Sequence, residues 1–222
     1  MLIGAAVCPH PPLLVPELAG EAADELAGLR EACHRAIAPL LEAERLVVVG
    51  GGSATRAHGP SAAGTFRPYG LDLRVGPGEP VLPLSLTVGR WLLGEAPVAR
   101  FQEVAFDAAP ADCLALGREL AREDVALLVM GDGSACRDEK APGYLDERAG
   151  PYDHEVARAL EQADAAALGR LDPALSRELM AAGRAAWQVL AGAAAGGEGR
   201  LRGELLAAEA PYGVGYFVAA WT

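Results

Sequence analysis

The amino-acid sequence predicts a single α/β domain, residues 1–222, with a mixed central β-sheet flanked by helices. Short apolar runs of strand length alternate with segments whose apolar residues recur at helical spacing, a pattern typical of an α/β sheet. The runs at 2–8, 46–49 and 125–130 are unbroken, as expected of parallel strands buried on both faces. Hydrophobic residues make up 51% of the 222 residues, so one domain can form a full core.

The first half of the chain supplies most of the predicted sheet. The strand at 2–8 ends at a run of prolines, which cannot easily continue a β-ladder. Apolar spacing then predicts a helix over 21–41, followed by the strand at 46–49. The remaining elements of this half are a strand at 70–75, a helix at 82–93, a strand at 101–106, a helix at 111–122 and the strand at 125–130.

The second half is predicted to be mainly helical before it returns to the sheet. Asp153 can cap a helix that runs to about Leu168, and Asp172 followed by Pro173 begins another in the preferred arrangement. The buried face of this second helix extends to Leu190. Two strands at 201–208 and 214–221 then flank a turn and are predicted to pair antiparallel, which makes the sheet mixed.

Charge and cysteine content exclude several classes of protein. The formal net charge of -11 argues against nucleic acid and anionic membranes as partners, because both require patches of Lys and Arg. The first residues lack the basic region of a signal peptide, and their apolar run is too short to span a membrane, so a cytoplasmic protein is expected. The 4 cysteines are far apart in sequence and are expected to be free thiols.

The stretch 125–152 is the strongest candidate for a functional segment. An apolar strand leads directly into a long polar loop that contains Asp132, Ser134, Arg137 and Lys140. Ligands of open α/β sheets bind at the carboxyl ends of the strands, where this loop begins. If Arg137 and Lys140 bind an anionic ligand, they should face the cleft and keep Asp132 ionised. The alternative is a solvated loop whose cations pair at most with nearby acids.

His10 and Ser53 follow two other predicted strands. His10 lies between prolines at a strand's carboxyl end, where an imidazole can act as a general base or metal ligand, or can simply be hydrogen-bonded in a loop. The glycines before Ser53 match neither GxxxxGK[ST] nor GxGxxG, so a tight turn is favoured over a phosphate site. We expect His10, Ser53, Asp132 and Ser134 to converge in one cleft, with Asp132 orienting His10.

Several segments, taken in order, resemble the class III extradiol ring-cleavage dioxygenase superfamily, which includes the Memo-like proteins. The segments are AAVCPHPPLL, LVVVGGGSAT, LLVMGDGSA, GRAAWQVLAG and YGVGYFVA, and GDGSACRDEKAPGYLDERAGPYD is similar to a small actinobacterial-type branch. The resemblance spans nearly the whole chain. It implies an α/β fold and, in active members, Fe(II) held by two histidines and a carboxylate, with a further histidine for proton transfer.

Carried onto this sequence, the resemblance places the first iron ligand on His10. The second falls at Ser53 to Thr55, with His58 a few residues later; the proton-handling histidine falls near Ala135, and the third ligand at about Ala182. Alanine and threonine side chains in these positions cannot hold the metal.

The resemblance and these departures from it leave two hypotheses open. In the first, the protein is a dioxygenase-like oxidoreductase whose Fe(II) site is rebuilt from His10, His58 and Glu209. In the second, it is a relative without metal or other cofactor that binds a small polar or anionic ligand, with His10, Asp132 and Ser134 as catalytic candidates and Ser53, Arg137 and Lys140 as ligand-binding ones. A homo-oligomer or a non-catalytic partner role is compatible with the second hypothesis.

Overall fold

The computed structural model describes residues 1–197 and 201–222, and seven strands in this part of the chain form one mixed sheet. The strands are β1 (Leu2–Cys8), β2 (Leu46–Gly52), β3 (Arg56–His58), β4 (Gly64–Thr65), β5 (Arg74–Val75), β6 (Arg100–Ala105), β7 (Val125–Met130), β8 (Gly203–Glu209) and β9 (Tyr216–Trp221). The order in the large sheet is β3-β6-β2-β7-β1-β9-β8, and β4 pairs with β5 in a separate two-stranded sheet.

The central strands β6, β2, β7 and β1 are parallel to one another. The outer strands are antiparallel to their neighbours: β3 pairs with β6, β9 with β1, and β8 with β9. This arrangement confirms the predicted mixed sheet in an α/β domain. The four predicted strands of the parallel core are present with bounds that differ by at most three residues from those expected. The final hairpin is also antiparallel, as predicted.

Eight α-helices are described, and they cover both faces of the sheet. They are α1 (Pro16–Ala19), α2 (Ala27–Ile37), α3 (Leu84–Leu93), α4 (Pro110–Leu120), α5 (Ala149–Glu161), α6 (Ala165–Gly169), α7 (Pro173–Glu178) and α8 (Arg184–Ala194). Apolar side chains of α2 and α3 pack on one face of the sheet. Those of α4, α5 and α8 pack on the other face. No helix in the described ranges is both long and apolar enough to cross a membrane.

Several predicted helices have different bounds in the structure. The helix expected over 21–41 is α-helical only in α2, with 3₁₀ segments Gly20–Leu26 and Ala38–Glu42 on either side. The helix expected from 173 to 190 is interrupted, because α7 ends at Glu178 and α8 begins at Arg184. Asp172 does cap α7, since its carboxylate accepts a hydrogen bond from the backbone N–H of Ala174 at 2.8 Å.

Asp153 is not the helix cap that the sequence predicted. Helix α5 already begins at Ala149, and Asp153 lies within it and is buried. Its carboxylate is directed toward the long loop that precedes the helix, where it accepts the backbone N–H of Ser134 at 2.8 Å. The local sequence suggested a cap because aspartate is common at that position, but the tertiary contact determines its role.

The gap between the carboxyl ends of β7 and β1, where the chain leaves the sheet after Met130 and Cys8, is called the crevice. The connections after β1 and β2 pass through α2 and α3 on one face of the sheet. Those after β6 and β7 pass through α4 to α8, mainly on the other face. Because β7 lies between β2 and β1, and its connection leaves toward the opposite face from theirs, the carboxyl end of β7 borders a topological switch point on either side. Ligands bind at such points in open α/β sheets.

Candidate functional site

Three polar residues, His10, Asp132 and Tyr216, form a row at the carboxyl end of this crevice. In the parallel pairing Cys8 is opposite Met130, and Asp132 follows two residues later beside the turn that carries His10. Beyond Cys8 the backbone of Gly133 and Ser134 bonds directly to Gly215, which places Tyr216 next to Asp132. Met130 and Tyr216 pack on the face covered by α2 and α3, and alternation along β7 places Asp132 on the same face.

His10 and Asp132 are in direct contact. The backbone N–H of His10 donates a hydrogen bond to Oδ1 of Asp132 at 2.7 Å, and the imidazole Nδ1 lies 3.5 Å from the same oxygen. The side chains are only 6% and 14% exposed. The carboxylate therefore fixes both the turn that carries His10 and the position of its ring.

The imidazole of His10 has one nitrogen whose hydrogen-bonding capacity is not used. Nδ1 is fully enclosed, yet it has no hydrogen-bond partner among the described residues, because 3.5 Å to the carboxylate is too long. An enclosed polar atom without a partner is costly and is uncommon in folded proteins. Such atoms are concentrated at functional sites, where geometry tightens when a ligand binds.

Burial controls the ionisation of the acids in this row. Burial raises the pKa of Asp132, and the neighbouring His10 opposes this shift through its charge and its backbone N–H. Burial also raises the pKa of Tyr216, and the negative charge of Asp132 raises it further. The phenol of Tyr216 is therefore protonated at neutral pH. Sequence analysis did not select Tyr216, because only the tertiary structure places it beside Asp132.

Arg137 and Lys140 do not face Asp132, contrary to the expectation for an anionic site. The guanidinium of Arg137 pairs with Asp153 at 2.9 Å. Lys140 is exposed; Asp138 accepts its backbone N–H at 2.7 Å, and its ammonium group has no ion-pair partner in the described part of the chain. Neither cation affects the ionisation of Asp132, which depends on burial and on His10. The predicted anion-binding role therefore has no support at this crevice.

Ser134 and Ser53 also lie outside the row. Ser134 is completely buried; its hydroxyl donates to the carbonyl of Leu179 at 3.1 Å and accepts the N–H of Cys136 at 3.0 Å. These contacts make Ser134 part of the internal structure of the loop. Ser53 is exposed in the turn between β2 and β3. The expected convergence therefore holds for His10 and Asp132, and the two serines do not share their site.

Asp153 anchors the loop that contains Asp132. Its two carboxylate oxygens accept the N–H of Ser134 and the guanidinium of Arg137, at 2.8 and 2.9 Å. A side chain at either Gly133 or Gly215 would collide with this carboxylate, so glycine at both positions allows the close approach. Burial raises the pKa of Asp153, and both hydrogen bonds oppose that shift. The loop is thus fixed from α5 rather than solvated.

The structure does not bring His10, His58 and Glu209 together. Strand β3, which carries His58, lies four positions from β1 in the sheet, a separation of roughly 19 Å at the usual strand spacing. Glu209 is exposed at the end of β8, two positions from β1 on the other side. Within residues 1–197 and 201–222, no group of three or more His, Cys, Asp or Glu side chains is arranged to hold a metal ion.

His58 instead belongs to a separate ion cluster at the edge of the sheet. Glu103 of β6 is buried and accepts hydrogen bonds from Arg56 at 2.7 Å and from the backbone N–H of Ala54 at 3.1 Å, while His58 Nε2 lies 3.1 Å away. Burial opposes ionisation of Glu103, but these contacts outweigh it and lower its pKa. The cluster attaches the short strand β3 to β6.

Two surface cavities lie apart from the His10–Asp132 pair. One of about 580 Å³ is formed by α5, α6 and α7, with Tyr152 and Leu171 in its wall. The other, of about 330 Å³, adjoins the end of β6 and includes Phe106 and Met180. Neither contains an enclosed polar atom without a partner among the described residues. The His10–Asp132 pair, and neither cavity, is therefore the candidate site.

Comparison with known proteins supports the fold and gives no function. No protein-family model and no curated protein matches the chain. Among solved structures it is similar to an uncharacterized protein, JW3007, from Escherichia coli K12, with a TM-score of 0.60. The alignment covers 98% of each chain at 13% sequence identity. A likeness at this identity shows the fold alone.

Proposed function

We propose that the protein binds a small, uncharged polar molecule at the crevice between β7 and β1, and that the His10–Asp132 pair transfers a proton to or from it. The observation that supports this proposal is the enclosed Nδ1 of His10, which faces a buried carboxylate without a hydrogen bond. The pair lies at the switch point of the sheet, where ligands bind in this class of fold.

The roles of the two residues follow from their contacts. Nδ1 of His10 is enclosed against Asp132, so a ligand can reach only the remaining exposed part of the ring, which carries Nε2. Nε2 is then the atom that accepts or donates the proton. Asp132 orients the ring and stabilises the imidazolium that forms when the proton is accepted, as in other carboxylate-histidine pairs.

The charges around the pair disfavour an anionic ligand. Arg137 is paired with the buried Asp153, and Lys140 is exposed on the loop. No cation in the described ranges pairs with Asp132 apart from His10 itself. An anionic ligand would meet the Asp132 carboxylate without a compensating charge, which costs free energy in a buried site. This revises the anionic ligand that the sequence suggested.

The resemblance to extradiol dioxygenases does not provide a ring-cleavage mechanism here. Fe(II) in such a site requires two imidazoles and a carboxylate on one face of the metal. His10 and Asp132 supply one of each, while His58 is engaged with Glu103 several strands away. The residues present therefore do not fit the iron, and we propose a metal-free relative of that superfamily.

The proposal can be tested by NMR on protein labelled with ¹³C at histidine Cε1. Among the 4 histidine signals, His10 is assigned through its loss in His10→Gln, and His154→Gln provides a matched control on the exposed face of α5. We expect hydroxyacetone to shift the His10 signal, and lactate, of similar size but anionic, to leave it unchanged. Absence of any shift at His10, or a preference for lactate, would contradict the proposal.

A further inference from the structure

We propose that Tyr216 is a third ligand-contacting residue of this site and donates a hydrogen bond to an uncharged oxygen of the ligand. This inference rests on the proposed function of the His10–Asp132 pair. It adds a hydrogen-bond donor to that site. It also restricts the ligand to compounds that carry an oxygen on the carbon next to the atom that exchanges a proton with His10.

The first argument is the hydrogen bonding at the start of β9. Beyond Cys8 the chain of β1 leaves the sheet, and the residues after Asp132 bond directly to Gly215: the N–H of Gly133 donates to its carbonyl at 2.7 Å, and its N–H donates to the carbonyl of Ser134 at 2.8 Å. These bonds place Tyr216, the residue after Gly215, next to Asp132, whose carboxylate accepts the backbone N–H of His10. His10 and Tyr216 can therefore contact neighbouring atoms of one small ligand beside Asp132.

The second argument is that the hydroxyl of Tyr216 is not used by the fold. The residue is only 3% exposed, and buried tyrosine hydroxyls usually have a hydrogen-bond partner. The hydroxyl of Tyr152, also buried, pairs with Ser176 at 2.9 Å, and that of Tyr212 donates to Glu25 at 2.9 Å. The Tyr216 hydroxyl has no such bond to any described residue and is not fully enclosed, so it is open to a ligand.

The protonation of Tyr216 decides its role. Burial and the charge of Asp132 both raise the pKa of Tyr216. The group is therefore a neutral hydrogen-bond donor at physiological pH and cannot serve as the base. His10 can accept a proton while Tyr216 stabilises the charge that develops on the adjacent oxygen, which is the role of donors in oxyanion sites.

This pair of roles fits a small carbonyl or hydroxycarbonyl compound. His10 Nε2 would take the proton from the carbon next to the carbonyl, and the electrons of that C–H bond would move to the carbonyl oxygen. Tyr216 would donate its hydrogen bond to that oxygen. The reverse proton transfer regenerates the site, so no oxidant, reductant or further reactant is needed.

The first experiment measures the proximity of Tyr216 to Asp132 without a ligand. Protein labelled with ¹³C at tyrosine Cζ is titrated with base as wild type and as Asp132→Asn. Removing the negative charge should lower the pKa of Tyr216, so its signal, assigned through its loss in Tyr216→Phe, should begin to move at lower pH in Asp132→Asn than in wild type while the protein is still folded. An unchanged pKa would place Tyr216 outside the site and overturn the inference.

The second experiment measures the hydrogen bond to the ligand. Hydroxyacetone is titrated into wild type, Tyr216→Phe and the control Tyr144→Phe, whose ring is 75% exposed in the loop. Loss of one neutral hydrogen bond should weaken binding roughly two- to tenfold in Tyr216→Phe only. Unchanged affinity in Tyr216→Phe, with the His10 signal still shifting, overturns the Tyr216 role alone. If no signal shifts at His10 even in wild type, the proposed function fails as well.

Discussion

At the scale of single residues, the site combines two features that oppose folding. The Asp132 carboxylate is buried beside an imidazole nitrogen that has no hydrogen bond. Burial of a charge without full compensation is unfavourable, which is why the pKa of Asp132 is raised. Natural proteins tolerate such costs mainly where the residue has a function. Removing the buried charge should therefore change the free energy of unfolding measurably.

Replacing Asp132 by Asn should stabilise the protein at neutral pH. The amide oxygen can still accept the N–H of His10, while the buried charge is removed. The folded pKa of Asp132 lies above the unfolded one, so its charge costs stability as pH rises through that window. We expect a gain of about 0.5–2 kcal/mol at pH 7.5 that disappears in acid, measured by thermal unfolding from pH 4 to 8.

The exposed Asp107 provides the control for this measurement, because Asp107→Asn removes one negative charge without removing a buried one. Its effect on stability should be small at every pH. Equal behaviour of the two variants would mean that net charge, and not burial at the crevice, accounts for the result.

At the scale of elements, the loop 131–148 is a structured part of the fold. The N–H of Gly133 donates to the carbonyl of Gly215, just before β9, at 2.7 Å. The N–H of Ala135 donates to the carbonyl of Leu179, just after α7, at 3.0 Å. Asp153 of α5 adds two hydrogen bonds from the other side. The loop therefore holds Asp132 in place, as expected where a functional group is supported by a rigid scaffold.

The two cations of this loop should differ strongly in their effect on stability. Arg137→Ala leaves the buried carboxylate of Asp153 without its charged partner, and because Arg137 itself is 36% exposed a loss of about 1–3 kcal/mol is expected. Lys140→Ala removes an exposed side chain without an ion pair in the described chain and should change stability by less than about 0.5 kcal/mol. Urea unfolding of both variants at pH 7 measures the difference. Similar losses in the two would refute the anchoring role of Asp153.

At the scale of the whole molecule, the order of strands determines which residues can act together. His10 and Asp132 follow strands that are adjacent in the sheet although they are distant in sequence. His58 and Glu209 are on strands β3 and β8, at opposite edges. The fold alone does not define the reaction, because the same α/β architecture supports many functions.

The iron content of the purified protein should be far below one equivalent. The positions at which the resemblance expects two further functional groups hold Ala135 and Ala182, and the proposed substitutes do not come together. Elemental analysis of protein purified without chelator measures this directly. Close to one equivalent of iron in the wild type, lost in His10→Gln, would restore the dioxygenase hypothesis.

The sequence by itself determined the class of fold and the location of His10 and Asp132 at one edge of the sheet. Unbroken apolar runs specify buried parallel strands, and the residues directly after them, His10 and Asp132, must lie at the carboxyl edge of the sheet. These are local properties of the chain, so periodicity and turn residues are sufficient to predict them.

Only the tertiary structure decided which of these residues meet. The contact of His10 with Asp132, the position of Tyr216 beside them and the separation of His58 depend on the strand order β3-β6-β2-β7-β1-β9-β8. The buried roles of Ser134 and Asp153 depend on contacts between α5, the loop and β9. Strand order and register arise from packing between segments remote in sequence, and the local pattern of any one segment does not contain that information.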